Sequence, residues 1–323
     1  MQDIQWGMIG TGAVTERKSG PALMRAEHSV LRGVTNRTLA KAEDWARRHG
    51  VDTVYASVDA MLADPAIDIV YIATPPDAHL PLTQAAAAAG KHVYVEKPMA
   101  LDAAGARAMM EACDQAGVRL FVAYYRRAMP RFQQVRIWLR EGRIGTVCSV
   151  SVTLRHPPAP EERSRDTLPW RVRAEVAGGG RFLDVAVHTL DLLDDWFGPI
   201  DDVAGFPAQR AGLYDVEDTV TAAWRHRSGV TGTGSWCFVA SDSEDRVEII
   251  GTDGRMTFSC FGDEPLVLQS AGERVEADLP RPTHVHQPLV QAIVDELRGG
   301  SPAPSTGMSA LRTTEVADRV LRG

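Results

Sequence analysis

Three residues of this chain have types and spacings suited to chemistry: Lys97 in Glu96-Lys97-Pro98, and Asp184 with His188 in Asp184-Val185-Ala186-Val187-His188. A lysine ammonium donates hydrogen bonds to an oxygen that gains negative charge, and a histidine takes or returns a proton near neutral pH. Asp184 and His188 are four apart, so on a helix they project from one face of an otherwise apolar stretch. The plainer alternative is a capping carboxylate and a satisfied core histidine. The run Gly178-Gly179-Gly180 just before the pair, together with the lysine, favours the functional reading.

The elements that must position them follow from the hydrophobic pattern. Lys97 directly follows the apolar run 92–95, late in an alternating series of strand and helix patterns. Strands are expected at 4–9, 30–35, 69–73, 92–95 and 120–124, with a weaker one at 53–55. Helices are expected at 38–49, 80–89 and 102–116, with Gly50, Gly90 and Gly117 as stop signals and Asp102 as an N-cap. Such alternation predicts a doubly wound parallel sheet. Ligands of that fold bind at the carboxyl ends of the strands, where the strand order reverses, and Lys97 stands at such an end. Pro98 fixes the next backbone torsion and steadies the lysine, while Glu96 is placed to fix the strand end or contact a ribose.

The series opens on Gly10-Thr11-Gly12-Ala13-Val14-Thr15, a strand–turn–helix pattern that suits a dinucleotide pyrophosphate. Gly10 makes the tight turn and Gly12 allows close approach. Thr15 replaces the third glycine, so a looser or rotated strand–helix contact is expected. About 20 residues on, where an acid would hold the ribose 2′-OH of NAD, the chain reads Asn36-Arg37-Thr38. A guanidinium and a hydroxyl suit a 2′-phosphate, which favours NADP over NAD.

From about residue 145 the pattern changes. A strand at 147–155 leads into a proline-rich loop, and a helix at 182–197 follows the triple glycine. Turn signals then pair 219–224 with 230–236, 247–250 with 256–260, and 266–269 with 274–277 as hairpins. The expected fold class is α/β, with a Rossmann domain at 1–125 and a substrate-binding α/β domain at 126–323 built on a mostly antiparallel sheet. The terminal helices, about 300–323, are expected to pack back on the first domain. Tyr125 and Arg126 follow the sixth strand and could reach a substrate. Trp170 and Arg171 follow the proline loop, which could act as a lid.

Composition narrows the partners. The formal net charge is −7 without long runs of like charge, which disfavours nucleic acid and anionic membranes. The N-terminal residues lack a signal-peptide pattern, no stretch approaches a membrane helix, and Cys113, Cys148, Cys237 and Cys260 are scattered, so a cytoplasmic protein with free thiols is expected. His284-Val285-His286 lacks supporting cysteines or paired carboxylates and reads as a helix-entry loop, with no metal expected.

Taken together, the chain resembles the glucose–fructose oxidoreductase/inositol dehydrogenase/rhizopine-catabolism (Gfo/Idh/MocA) family. Gly10-Thr11-Gly12, Thr74-Pro75-Pro76 with His79, Glu96-Lys97-Pro98, Gly178-Gly179-Gly180, and Asp184 with His188 match its motifs in order and spacing. The resemblance implies a large open sheet that forms homodimer or homotetramer contacts, and NAD(P)-dependent hydride transfer at a secondary alcohol of a sugar or cyclitol. It places Lys97, Asp184 and His188 in catalysis, and Thr74, Pro75 and His79 with Glu96 at the cofactor. Two other activities share this fold: an NAD-dependent glycosidase acting through a transient keto-sugar, and a non-catalytic nucleotide or sugar sensor.

Overall fold

A computed structural model describes residues 2–322. Contacts divide the chain into two units, Met1–Met129 with Pro282–Leu311, and Pro130–Arg281 with Arg312–Gly323.

In the first unit, short apolar runs become six parallel strands: β1 (Ile4–Ile9), β2 (Ser29–Thr35), β3 (Thr53–Val54), β4 (Ile69–Ile72), β5 (His92–Val95) and β6 (Leu120–Val122). Their order is β3-β2-β1-β4-β5-β6, so the winding reverses between β1 and β4. The central strands carry almost no polar alternation because helices cover both faces of such a sheet. Helix ends follow the expected caps. Asp102 accepts the Gly105 N–H at 2.8 Å to start Ala103–Ala116, and Gly50 and Gly117 close their helices at φ 71° and 66°.

The segment 282–311 completes this unit. Ser305 Oγ donates to the Val122 carbonyl at 2.7 Å, and Phe121 forms a bridge with Thr306. The helix Gln287–Leu297 buries Leu289, Val290, Ile293 and Val294 on one face. Each such side chain contributes about 1.5–3 kcal/mol on full burial.

The second unit is built on eight strands: β7 (Val147–Arg155), β8 (Ile200–Ala208), β9 (Thr219–His226), β10 (Thr231–Cys237), β11 (Glu244–Gly251), β12 (Gly254–Phe258), β13 (Leu266–Ser270) and β14 (Glu273–Ala277). They lie in the order β14-β13-β12-β11-β7-β10-β9-β8. All neighbours are antiparallel except β7 and β10, which run parallel. Strand alternation defines one buried face, where Trp224, Trp236 and Phe182 meet; Phe182 stands edge-on to Trp236 at 5.1 Å. The other face exposes Thr221, Ala223, Thr231, Thr233, Ser235 and Phe206.

Two features differ from expectation. Edge strand β8 escaped the pattern because Asp201, Asp202 and Pro207 mask it, and an edge tolerates proline. The helix after the glycines is not one α-helix: Phe182–Ala186 is a π turn leading into the α-helix Val187–Phe197. Four-residue spacing across a π turn is no longer one α-helical face, so the common face expected for Asp184 and His188 does not follow from α-helical geometry.

Candidate active site

The glycine turn is shaped for close approach. Gly10 has φ +99°, and a Cβ there would lie 2.7 Å from the Ala73 carbonyl oxygen. A Cβ on Gly12 would project into open space instead, at the point where the helix Ala13–Arg17 begins. Ala13 is exposed and Val14 partly so. This is a cradle that backbone leaves open for a pyrophosphate, so the chain fits the dinucleotide its pattern implies. Thr15 opens no gap in place of the third glycine: it is fully buried, and its hydroxyl donates to the Gly12 carbonyl at 2.7 Å.

Asn36 is tied to this turn. Its Nδ2 donates to Thr11 Oγ1 at 2.8 Å, while its Oδ1 accepts the Thr38 N–H at 2.9 Å. Arg37 lies next to it, exposed, and among the described residues no ion pair engages it. Asn36 therefore braces the end of β2, and Arg37 follows it exposed.

Lys97 stands half-buried two residues past the end of β5, with a cis Lys97–Pro98 bond. The Glu96 carboxylate accepts the Lys97 N–H through Oε2 at 3.3 Å and the Tyr71 hydroxyl through Oε1 at 2.6 Å. Burial pushes the Glu96 carboxyl above its usual range, against the hydrogen bond from Tyr71. His79, fully buried, joins the two neighbouring strand ends. Its Nδ1 lies 3.0 Å from the Pro98 carbonyl and its Nε2 2.9 Å from that of Thr74, which begins Thr74-Pro75-Pro76. Tyr125 and Arg126 are also buried here: Arg126 Nη1 donates to the Tyr125 hydroxyl at 2.9 Å, and the Tyr125 ring stacks on His286 at 4.4 Å.

The second unit carries the other candidates. Arg171 and Arg181 approach Asp184 Oδ2 at 3.2 and 3.3 Å, and Arg181 also pairs with Glu162, which is fully buried. The Arg171 guanidinium lies over the Trp170 ring at 4.4 Å. The proline-rich stretch is thereby pinned to Asp184 through short turns, Pro160–Arg163 and Trp170–Val172, rather than left irregular. His188 is buried two turns into the same segment, edge-on to Phe261 at 6.0 Å. Gly180 donates its N–H to Glu217 Oε1 at 2.8 Å, and a Cβ there would strike the Glu217 backbone. Burial pushes Glu217 up to about 7. The structure thus adds Arg181, Glu162 and Glu217 around Asp184 and His286 beside Glu96; the sequence offered no signal for Glu162 and Glu217, while Arg181 follows the glycines and His286 stood in a His-x-His pair read as a loop.

Comparison with known proteins decides the family. Residues 4–124 match the model of an oxidoreductase family with an NAD-binding Rossmann fold, and residues 132–257 match the GFO/IDH/MocA C-terminal domain. Oxidoreductase P35 of Formosa agariphila is 32% identical over 98% of this chain and 97% of its own length. The chain belongs to the GFO/IDH/MocA oxidoreductase family. Within that family, 1,5-anhydro-D-fructose reductase of Ensifer adhaerens is 29% identical over 94% of this chain and 91% of its own. The aldose-aldose oxidoreductase of Caulobacter crescentus, solved with glycerol, shares the fold at a TM-score of 0.87 with 24% identity, over 99% of this chain and 98% of the other. Among the described residues no group of three or more His, Cys, Asp or Glu side chains could hold a metal, and no helix is long and apolar enough to cross a membrane.

Proposed function

We propose that this oxidoreductase transfers a hydride between a nicotinamide cofactor and a secondary alcohol or ketone of a sugar, cyclitol or related polyol. The observation that supports the reading is Lys97, just past the carboxyl end of β5, in a chain whose residues 4–124 and 132–257 match this family's two models; we assign the partner roles to Asp184 and His188 from the resemblance of their motif. The bound cofactor accepts or supplies the hydride. His188 takes the proton of the reacting hydroxyl in the oxidative direction and returns it in the reductive one. Lys97 donates a hydrogen bond to the same oxygen and stabilises its developing charge. Asp184 orients the substrate or the imidazole, itself held by Arg171 and Arg181. The relative from Ensifer adhaerens, a reductase of an anhydro-sugar by name, supports a sugar substrate.

A panel of aldoses, anhydro-sugars and cyclitols, assayed with both nicotinamide cofactors, tests the reading. Net cofactor turnover supports it. Glycosidic cleavage with no net turnover marks the keto-sugar route, and cofactor binding without any reaction marks a sensor.

NADP is the expected cofactor, held at its 2′-phosphate by Arg37. Arg37→Ala is expected to lower the preference for NADPH over NADH by ~10–100-fold, as the loss of a charge-assisted bond of ~1.5–3 kcal/mol implies. A preference for NADH that survives the substitution overturns the assignment.

The exposed face of the eight-stranded sheet, with Thr221, Ala223, Thr233 and Phe206, is our candidate for homodimer or homotetramer contacts. Thr233 and Ala223 face each other across β9 and β10. Light scattering is expected to find an oligomer that Ala223→Arg with Thr233→Arg reduces to monomer. A monomeric parent protein excludes the contact.

A further inference from the structure

The fully buried ring of His286 stands in the first unit beneath the end of β5, although it comes from the segment that rejoins that unit 192 residues after Tyr94. Its Nδ1 is 2.9 Å from the Tyr94 hydroxyl. Its Nε2 has no hydrogen-bond partner among the described residues and faces Glu96 Oε1 at 3.7 Å. A shift of ~0.5 Å would make that approach a hydrogen bond. Tyr125 stacks on one face of the ring, and Tyr71 holds the other lone pair of Glu96 Oε1.

The charges around the ring fix its state. Burial, then the cations of Lys18, Lys97 and Arg126, push His286 down to about 3, so the imidazole is neutral at working pH. Glu96 is the carboxylate that faces it, and the phenols of Tyr71 and Tyr94 stay protonated because burial raises both. A neutral ring has one N–H. A lone pair aimed at a carboxylate oxygen would be repelled, so the proton sits on Nε2 and the Tyr94 hydroxyl donates to Nδ1.

We propose that His286 is a positioning residue, whose Nε2–H keeps the buried Glu96 carboxylate ionised and aimed so that its Oε2 holds the Lys97 backbone. The consequence for turnover rests on the oxidoreductase reading above; the consequence for Glu96 does not. Among the described residues Glu96 has no lysine or arginine ion pair within hydrogen-bond reach, so donated N–H and O–H dipoles must offset its desolvation. Removing one of them makes the carboxyl harder to ionise.

Infrared titration of the full chain reads this directly, through the carbonyl band of a protonated buried carboxyl, assigned by its loss in Glu96→Gln. His286→Leu and the smaller His286→Asn are expected to move the appearance of that band to higher pH by about one unit, a tenfold change in ionisation. His286→Gln restores an N–H donor near the Nε2 position and is expected to titrate like the parent. If the enzyme turns over a sugar, the acidic limb of its kcat/KM profile moves by the same amount in the same variants. The proposal is overturned if variants that still bind cofactor titrate as the parent does, if His286→Gln behaves as His286→Leu, or if the parent's Glu96 is protonated throughout. An enzyme with no sugar activity sinks the functional reading but leaves the infrared result to decide this one.

Discussion

Lys97→Ala and His188→Ala each cut kcat by ~10²–10⁴-fold, the usual cost of losing one acid–base or charge-stabilising partner, while NADPH binding followed by fluorescence survives. The expectation for Lys97 rests on a strand end that groups other than its ammonium hold in place. The strand end is held by the Lys97 backbone N–H on Glu96 and by His79 beside the Pro98 and Thr74 carbonyls, so truncation removes an amine and leaves its frame. His188 is buried in its unit, so His188→Asn accompanies the alanine variant to keep a polar group of similar bulk. Stopped-flow measurement with a sugar found by the panel separates binding from hydride transfer. Near-parent turnover in either position removes that residue from the mechanism.

Glu217→Gln raises the melting temperature at pH 8 and leaves it nearly unchanged at pH 4. Burial lifts the Glu217 carboxyl from its ordinary 4.5 to about 7. Between those values the folded chain holds a proton that the unfolded chain has released, so stability falls as pH rises through this window and is flat above it. The full shift corresponds to ~3 kcal/mol; partial exposure of the residue reduces the expected gain to about 1–2 kcal/mol, or ~3–8 °C for a unit of this size. Glutamine keeps the oxygen that accepts the Gly180 N–H, so the glycine turn ahead of Asp184 is retained. A pH-independent difference between the two proteins in calorimetry would show that ionisation of Glu217 is not the cause.

Most of the first unit's sheet was legible because its signals are local. Most of its strands are apolar runs, and the residues that bound the neighbouring helices, such as Asp102 and Gly117, act within a few residues. The hairpins of the second sheet were legible for the same reason. Failures occurred where residue type does not announce a local bond or turn, or where the deciding partner is distant in sequence. Thr15 fills the third glycine's place by bonding the turn itself, and the π turn at Phe182–Ala186 has no periodicity that marks it. Edge strand β8 carries Asp201, Asp202 and Pro207, all of which count against a strand unless its edge position is known. The site was legible at its motifs and illegible in their supports. Arg181 and Glu217 converge on the glycine-led segment from 37 residues apart or less, and His286 reaches Glu96 from far beyond any local pattern.

The division of the chain into units also dictates an order of synthesis. The first unit is interrupted by the whole of 130–281, and its last pieces, Pro282–Leu311, leave the ribosome only after the second unit's sheet is complete. Until then the nascent Rossmann sheet lacks the helix that covers Leu289, Val290, Ile293 and Val294, the hydroxyl of Ser305 on β6, and the imidazole under Glu96. Domains usually fold in the order they emerge. Here the amino-terminal half emerges first and is completed only after the second unit's sheet, so it must wait with apolar surface uncovered for the length of a whole domain's translation. A chain stopped at residue 281 would therefore retain a complete second sheet and an unfinished nucleotide-binding half, and chaperone capture would concentrate on the part made earliest.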